Sequence, residues 1–158
     1  MDWLSRIRHH IVDPGSVLEV GSWDINGSPR EFFSDAKSYV GVDANPGPGV
    51  DEVADGEHLA TRFGRESQDV VLACEVLEHA EDPLEIASQM RAVLKPRGWM
   101  IVTSPTNCFP LHRHPRDYWR LMPDAYDDLV FRGMEIVERE CVGTRRTDST
   151  LCYLGRKP

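Results

Sequence analysis

Long apolar runs are missing from this chain. No stretch approaches the roughly 18–20 consecutive hydrophobic residues that a membrane-spanning helix requires, so no membrane partner is expected. The opening Met1-Asp-Trp-Leu-Ser-Arg-Ile-Arg8 also lacks the hydrophobic block of a secretory signal, which makes cytoplasmic the expected location. Positive charge is scarce too. With 18 Lys and Arg against 26 Asp and Glu, the net charge is −8. Proteins that grip long nucleic acids do so largely by neutralising phosphates with Lys and Arg, so extended nucleic-acid binding is not expected and a small or neutral substrate suits better. Paired cysteines are absent as well. Cys74, Cys108, Cys141 and Cys152 form no Cys-x-x-Cys motif, and they read as reduced thiols, three of them on strands or in the core.

What is present is enough for one core. At 158 residues, the chain 1–158 is expected to form a single domain. Trp3, Leu4, Ile7 and Ile11 recur at helical spacing and predict an amphipathic helix over 2–11, ended by Asp13-Pro14-Gly15. Five apolar runs follow, Ser16–Val20, Ser38–Asp43, Val50–Ala54, Asp69–Cys74 and Trp99–Thr103. Continuous apolarity implies strands buried on both faces, as in a parallel sheet between helical layers.

Between these runs, Ser28-Pro29-Arg30-Glu31 and Asp82-Pro83-Leu84-Glu85 carry the N-cap, proline and N3 acid of a helix start. The second is expected to open a helix with Leu84, Ala87, Met90, Val93 and Leu94 on its apolar face, stopped by Lys95-Pro-Arg-Gly98. A helix from Pro123, closed by Gly133, precedes two further strand-like runs, Met134–Cys141 and Thr150–Leu154. The short polar turn 143–149 joins these as a hairpin, which places one antiparallel strand near a sheet edge. The predicted fold is α/β: a Rossmann-like, doubly wound, mostly parallel seven-stranded sheet with helices on both faces.

Ligands of open α/β sheets sit at the carboxyl ends of the strands. Those ends here carry Glu19, Asp43, Asp55 and Glu75, with Asp24 in the first loop. Asp43 falls about 20 residues after the Glu19-Val-Gly21 turn, the separation expected between a first nucleotide-binding loop and a ribose-binding carboxylate. A dinucleotide would require a glycine-rich turn around its pyrophosphate. Trp23 stands at the second glycine position and Asp24 adds a negative charge, so NAD and FAD are disfavoured. S-adenosylmethionine has no phosphate and carries two cationic groups, and it suits a ring of acids.

The ordered stretches Val17-Leu-Glu-Val-Gly21, Tyr39-Val-Gly-Val-Asp43, Ala54-Asp-Gly56, Asp69-Val-Val-Leu-Ala-Cys-Glu-Val-Leu-Glu-His79, Arg91-Ala-Val-Leu-Lys-Pro-Arg-Gly98 and Pro115-Arg-Asp-Tyr-Trp-Arg120 resemble class I S-adenosylmethionine-dependent methyltransferases of the minimal methyltransferase-domain group. The resemblance spans residues 16 to about 130. It implies that Glu19 and Gly21 shape the loop under the methionine part. It further implies that Asp43 holds the ribose hydroxyls, that Ala44 lies beside the adenine, that Asp55, with Gly56, meets the adenine amino group, and that Glu75 closes the site. Ser22, Trp23, Asp24 and Asn26, with Gly27, replace the usual glycine-rich loop, and they become the candidate seat for the methionine tail. In the family the first helix often lids the cofactor.

The acceptor side is less determined. Leu111-His-Arg-His-Pro-Arg-Asp-Tyr-Trp-Arg120 packs two histidines, three arginines and two aromatics into ten residues after the fifth strand, and it reads as a substrate wall. His79, His112 and His114 are the candidate general bases, since imidazole titrates near neutrality. No metal site is expected, because His112, His114 and Asp117 have no fourth ligand spaced to join them. Cys74-Glu-Val-Leu77 stands where amino-methylating enzymes of nucleic acids carry Asn/Asp-Pro-Pro-Tyr/Phe. A small-molecule or glycan-type acceptor, methylated on oxygen or nitrogen by in-line transfer, is therefore expected. The chain has no insertion long enough for a cap, so the acceptor pocket is open or completed by a second subunit of a homodimer. The alternative is a non-catalytic cofactor-binding or partner module derived from such enzymes.

Overall fold

Apolar residues alternate between the two faces of the central strands, and this alternation sets the layers. The computed structural model describes residues 2–143 and 149–158. Strands β1 (Ser16–Val20), β2 (Ser38–Asp43), β3 (Glu52–Val53), β4 (Gln68–Cys74), β5 (Leu94–Pro105), β6 (Glu135–Val142) and β7 (Thr150–Arg156) form one seven-stranded sheet, in the order β3-β2-β1-β4-β5-β7-β6. The pairs β3/β2, β2/β1, β1/β4 and β4/β5 are parallel, whereas β7 runs antiparallel to both β5 and β6. The antiparallel strand is therefore next to the edge, as the hairpin signal implied.

On β4, Val71 and Ala73 enter one core with Leu59 of α2 (Leu59–Phe63), with Ile86, Ala87, Met90 and Val93 of α3 (Pro83–Val93), and with Tyr126 and Val130. Val70 and Leu72 enter the opposite core with Trp3, Leu4 and Ile7 of α1 (Asp2–Ile7), Ile11 and Phe33. Each face thus has its own helical cover. Among the described residues, no helix is long and apolar enough to cross a membrane.

Several elements depart from the sequence expectation for visible reasons. The helix over 2–11 is α-helical only to Ile7 and ends as a tight 3-10 turn, Arg8–His10. The Ser28 start opens a 3-10 turn, Pro29–Phe33, with Ser28 accepting from the Arg30 N–H. The run Val50–Ala54 pairs only at Glu52 and Val53. One reason is that the Asp51 carboxylate takes the Gly41 N–H at 2.7 Å, which would otherwise be free to pair with a longer strand.

Asp82 caps α3 by accepting from the Leu84 and Glu85 N–H groups. Leu84 is not on the apolar face: at about 100° per residue it lies opposite Ile86, and it is exposed. Leu94 is buried but belongs to β5, and Lys95–Gly98 loops out between the paired residues Leu94 and Trp99 instead of simply ending the helix. The segment from Pro123 is a single α turn, α4 (Pro123–Ala125), followed by a π turn, Tyr126–Val130. Of the polar turn expected at 143–149, residues 144–148 lie outside the described residues.

Candidate functional site

The chain winds from β1 outward through β2 to β3, then returns to place β4 and β5 on the other side of β1. Loops leaving β1 and β4 therefore diverge at their carboxyl ends, and a crevice opens there for ligands. A cleft of about 960 Å³ occupies that position. Its lining includes Glu19, Gly21, Ser22, Trp23, Asp24, Asn26, Asp43 and Glu75 of the expected cofactor set, and His79, His112 and His114 of the expected base set. Ala44, Asp55 and Gly56 are not part of the lining. Asp55 accepts the Glu57 N–H at 2.9 Å and so caps the turn Gly56–His58, while Gly56 is buried against Ile86 and Val20.

The first loop is shaped by close approach. Gly21 has φ +73°, and its N–H donates to the Val42 carbonyl at 2.8 Å. A Cβ on Gly21 would lie 2.3 Å from Cγ2 of Val76, so no larger residue fits between the β1 and β4 loops. Asp24 accepts the Gly27 N–H at 2.8 Å, and the Asp24 N–H donates to the Pro48 carbonyl at 2.8 Å. That bonding explains why an acid replaces glycine in this loop. Trp23 packs against Gly47, and its ring centroid stands 5.8 Å from that of His114. An aromatic thus reaches from the first loop to the expected substrate wall.

The acids differ in environment. Glu19 is 4% exposed, and burial pushes its carboxyl up to about 7, partly offset by a hydrogen bond from Tyr39 and by Arg30. Asp43 holds the Asn45 N–H at 2.8 Å, fixing the turn after β2. Glu75 sits at φ +56°, a backbone region uncommon for a non-glycine residue and often associated with functional sites. Burial raises its carboxyl, against the opposing pull of a 3.0 Å hydrogen bond from Thr103 and of Arg120. Ser22 Oγ and Trp3 Nε1 are buried polar atoms at the cleft without hydrogen-bond partners. A polar occupant would satisfy them.

The wall 111–120 is anchored to the turn Leu77–His79. Tyr118 and Trp119 donate their N–H groups to the Glu78 carbonyl at 2.7 and 3.2 Å, and the Trp119 indole donates to the Ala80 carbonyl at 2.9 Å. His79 Nδ1 bonds the Arg116 carbonyl. Asp117 is gripped by the Arg120 guanidinium and accepts the His112 N–H at 2.8 Å, which holds its carboxyl far below the usual range. Trp3, Leu4, Asn45, Cys74, Thr103, Phe109, Arg113 and Thr150 also line the cleft, although no role was expected for most of them. Thr103 and Thr150 had a readable signal, as polar residues within or at the ends of apolar strands. Glu78 had none, because its burial beneath the wall comes from the path of residues 111–120.

The comparisons agree with this architecture. A family model described as a methyltransferase domain matches residues 1–133. An uncharacterised methyltransferase of Mycobacterium tuberculosis is 31% identical over 96 residues, covering 51% of this chain and 37% of its own length. The match thus spans little more than a third of that relative. Among solved structures, the N-methyltransferase NodS of Bradyrhizobium japonicum in complex with S-adenosylhomocysteine superposes with a TM-score of 0.77 at 18% identity, covering 99% of this chain and 85% of its own. The 1,6-didemethyltoxoflavin-N1-methyltransferase of Burkholderia thailandensis, with bound 1,6-didemethyltoxoflavin and S-adenosylhomocysteine, gives 0.72 at 17% identity, covering 98% and 76%. Cleft, strand order and family match converge: the chain belongs to the methyltransferase-domain family.

Proposed function

We propose that the cleft binds S-adenosylmethionine and that the chain transfers its methyl group to a small acceptor. The observation that carries this reading is the gathering of Glu19, Asp24, Asp43 and Glu75 around one cleft beside the Gly21 turn. Acids so placed suit a ligand bearing ammonium, sulfonium and a ribose diol, and they repel one bearing phosphates. Asp43 is the candidate for the ribose hydroxyls. Glu19, Ser22 and the Asp24–Gly27 turn are the candidates for the amino-acid end. Asp55, already a helix cap, is assigned no more than an outer contact. When bound, the cofactor supplies a methyl group already activated for displacement.

The protein's work is then alignment and exclusion of water, which can lower a barrier by roughly 7–11 kcal/mol. Trp23 and His114 close one side of the mouth, and the anchored wall closes another. A nitrogen acceptor that is already neutral needs no base. A hydroxyl acceptor does, and the groups available are the imidazoles of His112 and His114 on that wall and of His79 on the turn beneath it.

Calorimetry with S-adenosylmethionine, S-adenosylhomocysteine and NAD is the first test. Micromolar binding of the two adenosyl sulfur compounds and none of NAD is expected, and the reverse order overturns the reading. Labelled-methyl transfer to pooled small metabolites is the second. Binding without transfer to any pool would leave a cofactor-binding module in place of an enzyme.

A further inference from the structure

Glu78 is out of place for an acid. Its side chain is 1% exposed, and neither carboxylate oxygen has a hydrogen-bond partner. Leaving a charged or polar group buried in this way is costly. What faces it is a pair of imidazoles. Nε2 of His79 lies 3.6 Å and Nε2 of His112 lies 3.5 Å from the same oxygen, Oε1, and the rings meet edge-on with centroids 4.9 Å apart.

The far side of the His79 ring is committed, and that of His112 faces a carboxylate without a hydrogen bond to it. His79 Nδ1 bonds the Arg116 carbonyl, and His112 Nδ1 lies 3.4 Å from Oδ2 of Asp117. A backbone carbonyl and a carboxylate are the usual partners of the non-ligating nitrogen of a metal-bound histidine, because they turn the other lone pair inward. Nε2 of both rings faces the same oxygen of Glu78.

We infer that Glu78, His79 and His112 form a site for a divalent first-row transition-metal ion. One ligand atom from each comes within 4.8 Å of the others, close enough for small side-chain movements to bring all three onto one ion. Two imidazoles and one carboxylate on one side of an ion leave positions open, the pattern of a reactive rather than a purely structural site. His79 and His112 also line the cleft, so the open positions face the acceptor. Charge agrees: Glu75, Glu78 and Asp117 gather here, with Arg120 opposing them. Imidazole ligands favour zinc, cobalt, nickel or iron over magnesium or calcium. From the sequence no metal site is expected, and the cluster considered there, His112, His114 and Asp117, shares only His112 with this one; His114 stands across the mouth against Trp23. Resting on the methyl-transfer reading, its role is to hold an acceptor oxygen and make it easier to deprotonate. That points to hydroxyl-bearing acceptors.

The test is titration of the chelator-stripped chain with cobalt(II), read by visible absorption, alongside calorimetry with S-adenosylhomocysteine. One ion per chain is expected. Binding should weaken by 100-fold or more in Glu78→Gln and His112→Ala, by about 10–100-fold in Asp117→Asn, and not at all in His114→Ala. His9, His10 and Glu138 form another cluster with ligand spacing, on the surface, so His10→Ala is the decoy. Absence of a cobalt spectrum, or a spectrum lost in His10→Ala and kept in Glu78→Gln, overturns the inference. Retained S-adenosylhomocysteine binding in Glu78→Gln shows that the variant is folded. Cobalt bound by a chain that ignores S-adenosylhomocysteine keeps the metal site and removes the methyl-transfer reading, whereas the opposite result does the reverse.

Discussion

Replacing Glu19 by Gln should make the unliganded chain more stable and a worse cofactor binder. Burial raises the Glu19 carboxyl from the ordinary 4.5 to about 7. Below pH 4.5 the group is protonated in both the folded and unfolded chain, and it makes no difference. Between 4.5 and 7 the unfolded chain releases its proton while the folded chain keeps it, so stability falls as pH rises. Above about 7 both states are ionised and the loss is complete. At about 1.4 kcal/mol per pH unit, this group alone removes about 3 kcal/mol from the empty protein at pH 8. Gln can still accept the Tyr39 hydrogen bond, 2.8 Å long in the wild type, while carrying no charge. Urea unfolding of both proteins at pH 4.5, 6 and 8 should give coincident stabilities at the lowest pH. The variant should then gain progressively, up to about 3 kcal/mol. A cationic ligand favours the ionised carboxylate, so at pH 6 binding should release a proton in the wild type and not in the variant, as read by calorimetry in buffers of different ionisation enthalpy. Parallel pH profiles for the two proteins would refute the reasoning.

Four further outcomes are expected. Asp43→Asn keeps the acceptor for the Asn45 N–H and loses a charge-assisted bond of about 1.5–3 kcal/mol, so affinity for S-adenosylhomocysteine should drop by about 10- to 150-fold with the melting temperature little changed. Gly21→Ala should cost about 1–2 kcal/mol for its left-handed backbone, plus the clash with Val76. Adding Val76→Ala should recover the clash part alone in denaturant titrations. Arg120→Lys replaces a two-pronged grip on Asp117 by a single point charge. It should raise the acceptor KM while leaving S-adenosylhomocysteine affinity unchanged. Because the Asp117 carboxyl is held low, the wild-type stability advantage over this variant should be full at neutral pH and vanish as pH falls through the acid range. Tyr126→Phe removes the buried hydroxyl contact with Ser104 and should cost about 1 kcal/mol in unfolding free energy.

Residues whose placement follows from strand order were readable in advance. Glu19, Asp43 and Glu75 end apolar runs, and a parallel sheet brings such ends to one rim. Helix lengths were less readable, because the start at Ser28 has a proper cap but leads into a tight 3-10 turn. Local capping chemistry marks where a turn begins and says little about how far it continues. Leu84 was misplaced because an apolar residue in the first turn of α3 satisfied the expected pattern while the true stripe ran through Ile86. Asp55 illustrates competition between roles, since a carboxylate expected at the ligand is already spent on a backbone N–H. Glu78 was invisible for a long-range reason: its neighbours His112 and Asp117 lie more than thirty residues away in sequence. No local pattern announces that approach.

The anchoring of residues 111–120 has a consequence for how this enzyme type diversifies. Backbone groups of Arg116, Tyr118 and Trp119 and the carboxylate of Asp117 fasten the segment, whereas the side chains of Leu111, Arg113, His114 and Arg116 project to the surface. Mutation at those outward positions can therefore redraw what the mouth admits without loosening the platform beneath it. On the proposed methyl-transfer reading, single substitutions at Leu111, Arg113 or Arg116 change the acceptor side alone, whereas His114, set against Trp23, also touches the donor side.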